Sequence, residues 1–326
     1  MLSGHLIVIV LAALLGTATP SIAQVPGYPA KLTRIVVPFP PGGTTDALAR
    51  ILSQKMTDSW GKPVVVENRP GGGGAIAAES VAKSTPDGHT MFLGTTGDMS
   101  VNPSLVRKLS YDPERDFIPV GLLAVTPLLL ITHPSLPVQS VKELIDAAKA
   151  KPGSLSHVSV GDGSAGHLAG EMFKKLTQTD IVHVPYKGGG PQVTALLGGQ
   201  EPQFGFVVSS TARPHVLSGK LRALAVSSAK RSPFFPDVPA LVELGLPGFD
   251  FDNWFGMFLP AGSPKEIAAF INTECARILK LPDVALRLVE MSFETALSSP
   301  DELSRYLSAE IAKYRKVIAE AGIAPQ

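Results

Sequence analysis

One stretch, IVVPFPPGGTTD at residues 35–46, joins an apolar run to a helical pattern through a turn rich in proline and glycine. Beyond the turn, Leu48, Ile51, Leu52 and Met56 recur at the spacing of one helix face. The stretch therefore predicts a strand, a tight turn and a helix. Backbone N–H groups at such a helix start lack intrahelical partners and lie at the positive end of the helix dipole. The turn is thus a candidate site for an anion, either a phosphate or a carboxylate.

Two turns of the same kind follow in the middle of the chain. The segment VSVGDGSAGH (158–167) leads into a helix that we expect Ser164 to cap. The segment VPYKGGGP (184–191) leads into a helix expected to begin at Pro191. Ligands of open α/β sheets lie beyond the carboxyl ends of the strands, where all three turns are predicted to be. Together the turns predict one binding cleft.

Short apolar runs alternate with helical patterns through most of the chain, which predicts an α/β fold with largely parallel sheets. The predicted strands are 34–38, 63–67, 90–93, 117–131, 156–160, 181–184, 204–208, 221–226 and 254–259. Ser140, Ser263 and Ser299 each stand three residues before a glutamate. This is the spacing of a capping box, so each serine is predicted to start a helix.

The run at 117–131 is too long for one ordinary strand and contains Pro127, so we expect it to leave one sheet and enter another. A second run, 221–228, is expected to cross back. The predicted domains are then a discontinuous lobe 1 (24–127 and 223–326) and an inserted lobe 2 (128–222). Two lobes joined by two crossing segments form a hinged cleft that can close on a ligand.

Composition excludes several classes of function. The 326 residues carry a formal net charge of +1, which argues against nucleic acid and anionic membrane surfaces as partners. Cys275 is the only cysteine, so an intrachain disulfide and a cysteine-based zinc site are excluded, and its apolar stripe predicts a core thiol.

An apolar run at 6–15 followed by small residues predicts a signal peptide (1–23) cleaved near Ala23, with a short buried helix as the alternative.

Enzyme motifs in the sequence are incomplete. Asp162, Ser164 and His167 suggest a hydrolase, but a nucleophile elbow needs glycine where Asp162 stands, and triad residues come from distant positions. A G-x-G-x-x-A pattern in the range 72–77 does not directly follow its strand and lacks the expected acidic residue, so it does not fit a dinucleotide site. We therefore predict no catalytic residues, no metal site and no cofactor.

Six blocks, in order, give the chain a resemblance to a known family. They are YPAKLTRIVVPFPPGGTTDALAR, VVVENRPGGGGAIAAESVAKSTPDGHTMFLG, GDGSAGHLAGEMFK, VPYKGGGPQVTALLGG, GKLRALAVSSAKRSPFFPDVPALVELG and WFGMFLPAGSPKEI. The chain resembles the extracytoplasmic solute receptors of tripartite tricarboxylate transporters, the Bug or TctC type. The resemblance implies a two-lobed periplasmic binding protein, type II-like, with a Venus-flytrap cleft and two crossover strands at the hinge. It also implies a small carboxylate ligand and membrane transporter components as partners. We further expect a monomer that neither inserts into the membrane nor binds nucleic acid.

The resemblance implies ligand contacts at the three turns and at three strand ends. The turn at Pro40–Asp46 is expected to hold one carboxylate through backbone amides and bridging waters, and the helix start at Gly163–His167 to hold the rest of the ligand from the other lobe. The expected contacts are Phe39, Pro40, Gly42, Gly43, Thr44, Thr45, Asp46, Thr95, Thr126, Gly163, Ser164, Ala165, His167, Tyr186, Lys187, Gly188 and Ser209. Phe39 departs from the tyrosine that family members often carry, and the segment QFGFVVSS (203–210) is also unusual for the family.

Neutral backbone donors, without a convincing nucleophile–base pair, favour recognition without catalysis. The leading hypothesis is a periplasmic carboxylate receptor that serves a membrane transporter. Two alternatives stay open: an exported α/β hydrolase that uses Ser164 and His167, and a partner that presents its ligand to a membrane sensor. The sequence leaves the ligand open among dicarboxylates, tricarboxylates, amino acids and aromatic acids.

Overall fold

The computed structural model describes residues 25–200 and 203–325, and the predicted signal peptide lies outside them. The strands are β1 (Thr33–Val37), β2 (Val64–Asn68), β3 (Thr90–Thr95), β4 (Phe117–Thr132), β5 (Ser156–Ser159), β6 (Val182–Pro185), β7 (Phe204–Val208), β8 (Arg222–Val226), β9 (Asp252–Pro260) and β10 (Glu294–Thr295). The α-helices are α1 (Thr44–Trp60), α2 (Ala75–Ala82), α3 (Asn102–Leu105), α4 (Val141–Ala150), α5 (Ala165–Thr177), α6 (Gly189–Leu197), α7 (Ser209–Leu217), α8 (Lys265–Leu279), α9 (Pro282–Glu290) and α10 (Pro300–Ala321). All the predicted strands are present as β1–β9, each within about two residues of its predicted ends.

The strands form two sheets that share β4. The first sheet has the order β2-β1-β3-β9-β4, and β10 pairs with the other edge of β4. The second has the order β6-β5-β7-β4-β8. Residues 117–127 of β4 pair with β9, whereas residues 128–132 pair with β7 and β8. The prediction that this long strand leaves one sheet and enters the other is confirmed.

The chain returns to the first sheet after β8. That strand pairs with β4 inside the second sheet, and the N–H of Phe251 then donates to the carbonyl of Ser227 at 3.0 Å, directly before β9. The return therefore extends over the segment 227–252 as well as the predicted run 221–228. The numerical boundaries of the two lobes stay a prediction.

The expectation of largely parallel sheets is wrong at the centre of the molecule. β1 pairs in parallel with β2 and β3, and β5 pairs in parallel with β6 and β7. β4 and β9 run antiparallel to every strand that they pair with. The chain leaves the first sheet along β4 and returns to it along β9. These two strands therefore run in opposite directions at the hinge. The outer parallel strands keep the carboxyl ends of β1 and β5 at the cleft.

Helices cover both faces of each sheet. α1 and α8 pack on one face of the first sheet, α2 and the first half of α10 on the other. Leu303 and Leu307 of α10 belong to that core, whereas Tyr314 and Ile318 of the same helix are buried against the second sheet with α4 and α5. α10 therefore joins the two halves of the fold. Within the described ranges, no helix combines the length and hydropathy that crossing a bilayer requires.

The helix starts predicted at Ser140 and Ser299 are right, whereas those predicted at Ser263 and Pro191 are wrong. The Ser140 and Ser299 hydroxyls accept from backbone N–H groups at 3.2 and 3.3 Å, which confirms both caps. Ser263 instead donates its hydroxyl to the carbonyl of Pro260 at 2.8 Å, since a turn brings that carbonyl within reach, and α8 begins at Lys265. Pro191 is the third residue of α6, not the first, because any position in the first turn tolerates its missing N–H.

Cys275 is a core residue, as predicted. Its side chain is fully buried in α8 against the first sheet. Burial raises the pKa of the thiol, so the reactive thiolate is disfavoured.

Candidate functional site

The starts of three helices meet at one cavity between the two sheets. α1 contributes Gly43–Thr45, α5 contributes Ala165 and Gly166 with the preceding Ser164, and α6 contributes Gly189 with the preceding Gly188. The cavity is partly open to solvent. The carboxyl ends of β1, β5 and β6 lead into these helices, so the parallel part of each sheet aims its helix starts at the same point.

Unpaired backbone donors line two sides of this cavity. The N–H groups of Thr44 and Thr45 have no acceptor among the described residues, and neither do those of Ala165 and Gly166. Each pair stands at the positive end of a helix of more than three turns. Two opposed sets of donors suit a ligand with an anionic group at each end.

Asp46 lies behind the α1 start and not on the cavity wall. Its carboxylate accepts from the N–H of Gly42 at 2.9 Å, from Nε of Arg50 at 2.8 Å and from Nδ2 of Asn68 at 3.0 Å. Burial alone would raise the pKa of Asp46, but these hydrogen bonds outweigh it and hold the pKa below its usual range. Asp46 therefore holds the turn in shape with its own charge paired.

The α5 start is held in a similar way by neutral groups. Nδ1 of His167 accepts from the N–H of Gly163 at 3.2 Å, and the Ser164 hydroxyl accepts from the N–H of His167 at 3.2 Å, which confirms the predicted cap. The same hydroxyl donates to the carbonyl of Gly161 at 2.7 Å. Ser164 and His167 thus use their functional atoms on the backbone, and the hydrogen bond between nucleophile and base that a hydrolase needs is not formed between them.

Three histidines stack beneath the α5 start. The ring of His183 lies 4.8 Å from that of His157 and 4.2 Å from that of His167, and both pairs are nearly parallel. Burial is the largest cause that lowers the pKa of His167, and burial with the neighbouring histidines lowers the pKa of His183 to about 3. Both rings are therefore neutral at neutral pH.

This cluster was missed at the sequence level, although it resembles a metal site in composition. Asp162, His167 and His183 offer donor atoms within 4.8 Å of one another. A metal ion lies in the plane of each imidazole that binds it, whereas these two rings are stacked face to face. In addition, Nδ1 of His167 is engaged by the backbone and Nε2 of His183 lies 2.7 Å from the Ser159 hydroxyl. As arranged, the cluster supports the helix start and does not fit an ion.

The expected site residues fall into three groups. Those on the cavity wall are Phe39, Gly43, Thr44, Thr45, Thr95, Ser164, Ala165 and Gly188. Pro40, Tyr186 and Lys187 line a second, outer chamber, which Phe39 and Gly188 also reach. The remaining residues, which lie on neither wall, are Gly42, Asp46, Thr126, Gly163, His167 and Ser209.

Thr126 and Ser209 bond to each other instead of facing the cavity. Their hydroxyl oxygens lie 2.8 Å apart, and both residues are fully buried. Thr126 is on the hinge strand β4 and Ser209 begins α7, so this bond joins the crossover to the second sheet.

Direct hydrogen bonds join the two sides of the cleft. The Thr44 hydroxyl of α1 lies 2.7 Å from that of Ser210 and 3.0 Å from that of Thr211, both in α7. The inner cavity is also narrow at its outer end, where a Cβ on Gly188 would lie 3.5 Å from Cδ of Pro40. In this structure the two sides of the cleft are therefore in direct contact beside the cavity.

Sequence reasoning missed much of the cavity wall. The missed residues are Gly97, Leu128, Val160, Gly166, Gly189, Gln192, Phe206, Val208, Thr211 and Asn253. Most stand outside any glycine-rich turn, and they reach the cavity through sheet pairing, such as Leu128 beside Val208. A register prediction for β4 and β7 would have found that pair.

Comparison with known proteins identifies the family. Residues 48–323 match the TctC family model, described as tripartite tricarboxylate transporter family receptor. The chain belongs to this family. The resemblance seen in the sequence is confirmed, and so is the α/β architecture of a two-lobed periplasmic binding protein.

Solved structures of family relatives match nearly the whole chain. Rpa4515 of R. palustris, solved with adipate, is 39% identical with a TM-score of 0.88, over 92% of this chain and 100% of that one. The periplasmic binding protein BugD is 32% identical with a TM-score of 0.86, over 92% and 100%. MatC of Rhodopseudomonas palustris, solved with bound malate, is 33% identical with a TM-score of 0.84, over 89% and 100%.

Proposed function

We propose that this solute receptor works in the periplasm, captures a small carboxylate between its lobes, and presents it to the membrane components of a tripartite tricarboxylate transporter. The observation that carries the proposal is the pair of opposed helix starts, which aim free N–H groups from Thr44–Thr45 and from Ala165–Gly166 into one cavity. The solved relatives that hold adipate and malate support a carboxylate as the anion.

The cavity is suited to reversible capture of an anion. Among the described residues on its wall none is charged, so the carboxylate would be held by backbone dipoles and by side chains such as Asn253. Backbone donors need no buried counter-ion, whose desolvation would reduce the gain from pairing. Because the donors belong to two lobes, one ligand can bind both and stabilise the closed form.

We also propose that the protein is a monomer and not an enzyme. The Ser164 hydroxyl and Nδ1 of His167 both form hydrogen bonds with the backbone of the turn, which argues against the hydrolase alternative. The lobes proposed to move are residues 24–127 with 223–326, and residues 128–222, about the hinge in β4. The closed form is then the state that the transporter, or a sensor, recognises.

A thermal-shift screen tests the proposal. Protein freed of carried-over ligand by unfolding and refolding is mixed with mono-, di-, tri- and aromatic carboxylates, because a ligand that binds the native state raises the apparent Tm. At least one acid is expected to raise the Tm, and mass spectrometry should recover that acid unchanged. No shift with any acid would overturn the proposal, and a hydrolysed product from ester or amide analogues would favour the hydrolase.

A further inference from the structure

Gln192 is a buried polar side chain of the cavity wall with one half of its carboxamide unused. The residue is the fourth of α6 and is 1% exposed. Its Nε2 donates to the carbonyls of Val158 and Phe206, both at 3.3 Å. Its Oε1 has no hydrogen-bond partner among the described residues. A buried acceptor without a donor is uncommon in native proteins and needs a physical explanation.

The orientation of the carboxamide is determined by its neighbours. An amide nitrogen can donate to carbonyl oxygens and an amide oxygen cannot, so the carbonyls of Val158 in β5 and Phe206 in β7 require Nε2 on their side. Oε1 is therefore the end of the carboxamide that has no partner, on a residue of the cavity wall. It can only accept, so a bound molecule that satisfies it must donate a hydrogen bond.

Around Gln192 the cavity wall is mostly apolar. Phe39, Leu128, Val160, Phe206 and Val208 lie between the helix starts and would surround the body of a ligand held at both ends. The Thr44 and Thr95 hydroxyls are engaged, the first with Ser210 and the second with Asp98 at 2.6 Å. A buried, unsatisfied acceptor in a mostly apolar wall suits a neutral donor.

A charged donor would find no counter-ion here. No acidic side chain lies on this wall among the described residues. The Asp46 carboxylate is already bound to Arg50 and Asn68, and both oxygens of the buried Asp98 carboxyl accept from Thr95. An ammonium group in this cavity would give up its hydration without an opposite charge in return.

We infer that Gln192 is a specificity-determining residue and that the ligand is a carboxylate whose carbon skeleton carries a hydroxyl group donated to Gln192 Oε1. The inference rests on the proposed function, because it assumes a carboxylate in this cavity. It adds a selection among carboxylates: hydroxy acids above unsubstituted acids, and both above amino acids of the same length.

Matched sets of acids test the inference by isothermal titration calorimetry. Each set has one chain length and three forms: succinate, malate and aspartate; glutarate, 2-hydroxyglutarate and glutamate; adipate, 2-hydroxyadipate and 2-aminoadipate. In the set that fits best, the hydroxy acid should bind about tenfold more tightly than the unsubstituted acid, the amount that one buried hydrogen bond supplies. The amino acid should bind most weakly.

The variant Gln192→Met separates the role of the oxygen from that of side-chain volume. Methionine keeps the length of the side chain and has no comparable acceptor, so the ratio of affinities for hydroxy and unsubstituted acid should fall to about one. Since the variant also leaves two carbonyls without a donor, its fold is checked by circular dichroism and Tm. The ratio stays interpretable even when both affinities fall, because each ligand is measured on the same protein.

The outcomes are distinct. Equal or weaker binding of the hydroxy acid in every set overturns the inference, and so does a preference that persists in Gln192→Met. Tightest binding of the amino acid also overturns it. If no acid of any set binds, the proposed function itself fails, whereas binding of unsubstituted acids alone leaves that function intact and removes only the role of Gln192.

Discussion

The two helix starts that face each other across the cleft use the same geometry with different chemistry. In α1 the glycine before the cap, Gly42, has φ 86° and donates its N–H to Asp46, the third helical residue. In α5 the corresponding glycine, Gly163, has φ 75° and donates to His167, again the third residue. Positive φ favours glycine at both positions. After both turns, the N–H groups of the first two helical residues, Thr44–Thr45 and Ala165–Gly166, are left without an acceptor at the cavity.

The difference lies in the charge of the residue that holds each turn. A carboxylate beside an anion site is unfavourable unless it is neutralised. Arg50 neutralises Asp46, and Asn68 adds a hydrogen bond to it. The imidazole of His167 is neutral and needs no counter-ion, but it depends on a stack of histidines and on a pH that keeps them unprotonated. One lobe is thus predicted to be robust to acid and the other sensitive to it.

The largest effect is expected from blocking the α1 start. Gly43 has φ −84°, which any residue adopts, and a Cβ there would come no closer than 3.8 Å to another heavy atom. Gly43→Leu should therefore fold normally and fill the cavity, with an affinity at least about 100-fold lower by calorimetry. The control is Gly190→Leu, an exposed glycine of α6 that also has open space around it. Full affinity in Gly43→Leu would show that the α1 start does not bind the ligand.

Removing the carboxylate that holds α1 should reduce stability and affinity together. Asp46→Ala leaves the N–H of Gly42, Arg50 and Asn68 without their acceptor, which is expected to lower the free energy of unfolding by about 2–3 kcal/mol in urea titrations. Affinity should fall about tenfold, because the exposed N–H groups are no longer held in place. Asp46→Asn keeps an acceptor oxygen for Gly42 and should lose less of both. A loss in the asparagine variant as large as in the alanine variant would contradict the role of that hydrogen bond.

Acid should weaken the α5 side first. Folding lowers the pKa of His183 from about 6.5 in the unfolded chain to about 3. The free energy of unfolding is therefore highest above pH 6.5 and falls as the pH drops toward 3. Between pH 7.5 and 5 the free energy of unfolding should fall by about 1–2 kcal/mol for this histidine. The low pKa of Asp46 keeps the α1 turn charged and intact over the same range. His183→Asn should flatten the dependence, and an unchanged slope in this variant would contradict the assignment.

The smallest effect is expected from the bonds that join the two sides directly. Thr44→Val removes the hydroxyl that reaches Ser210 and Thr211 while keeping the shape of the side chain. Affinity should fall about two- to threefold, because the closed form loses the partly buried hydrogen bonds of the Thr44 hydroxyl. The control is Thr194→Val, whose exposed hydroxyl bonds only within α6. Tighter rather than weaker ligand binding by Thr44→Val would mean that the hydrogen bonds of this hydroxyl oppose closure.

How much could be predicted from the sequence differs between local and distant features. The turns, the strands and the crossing on β4 follow from patterns within a few residues, and so does the cap at Ser164. Ser263 was misassigned because a carbonyl three residues earlier captures its hydroxyl.

Contacts across sheets could not be predicted in this way. The pairing of Thr126 with Ser209 and the position of Gln192 depend on the register of β4, β5 and β7, which a single sequence does not specify. The same holds for the histidine stack, which brings together one residue each from β5, β6 and α5.

A crystal structure of the protein with the acid that gives the largest thermal shift tests the central claim most directly. We expect one carboxylate within about 3.2 Å of the N–H groups of Thr44 and Thr45, and the other end of the ligand at the N–H groups of Ala165 and Gly166. A ligand bound instead in the outer chamber, with its carboxylate on Lys187, would contradict it.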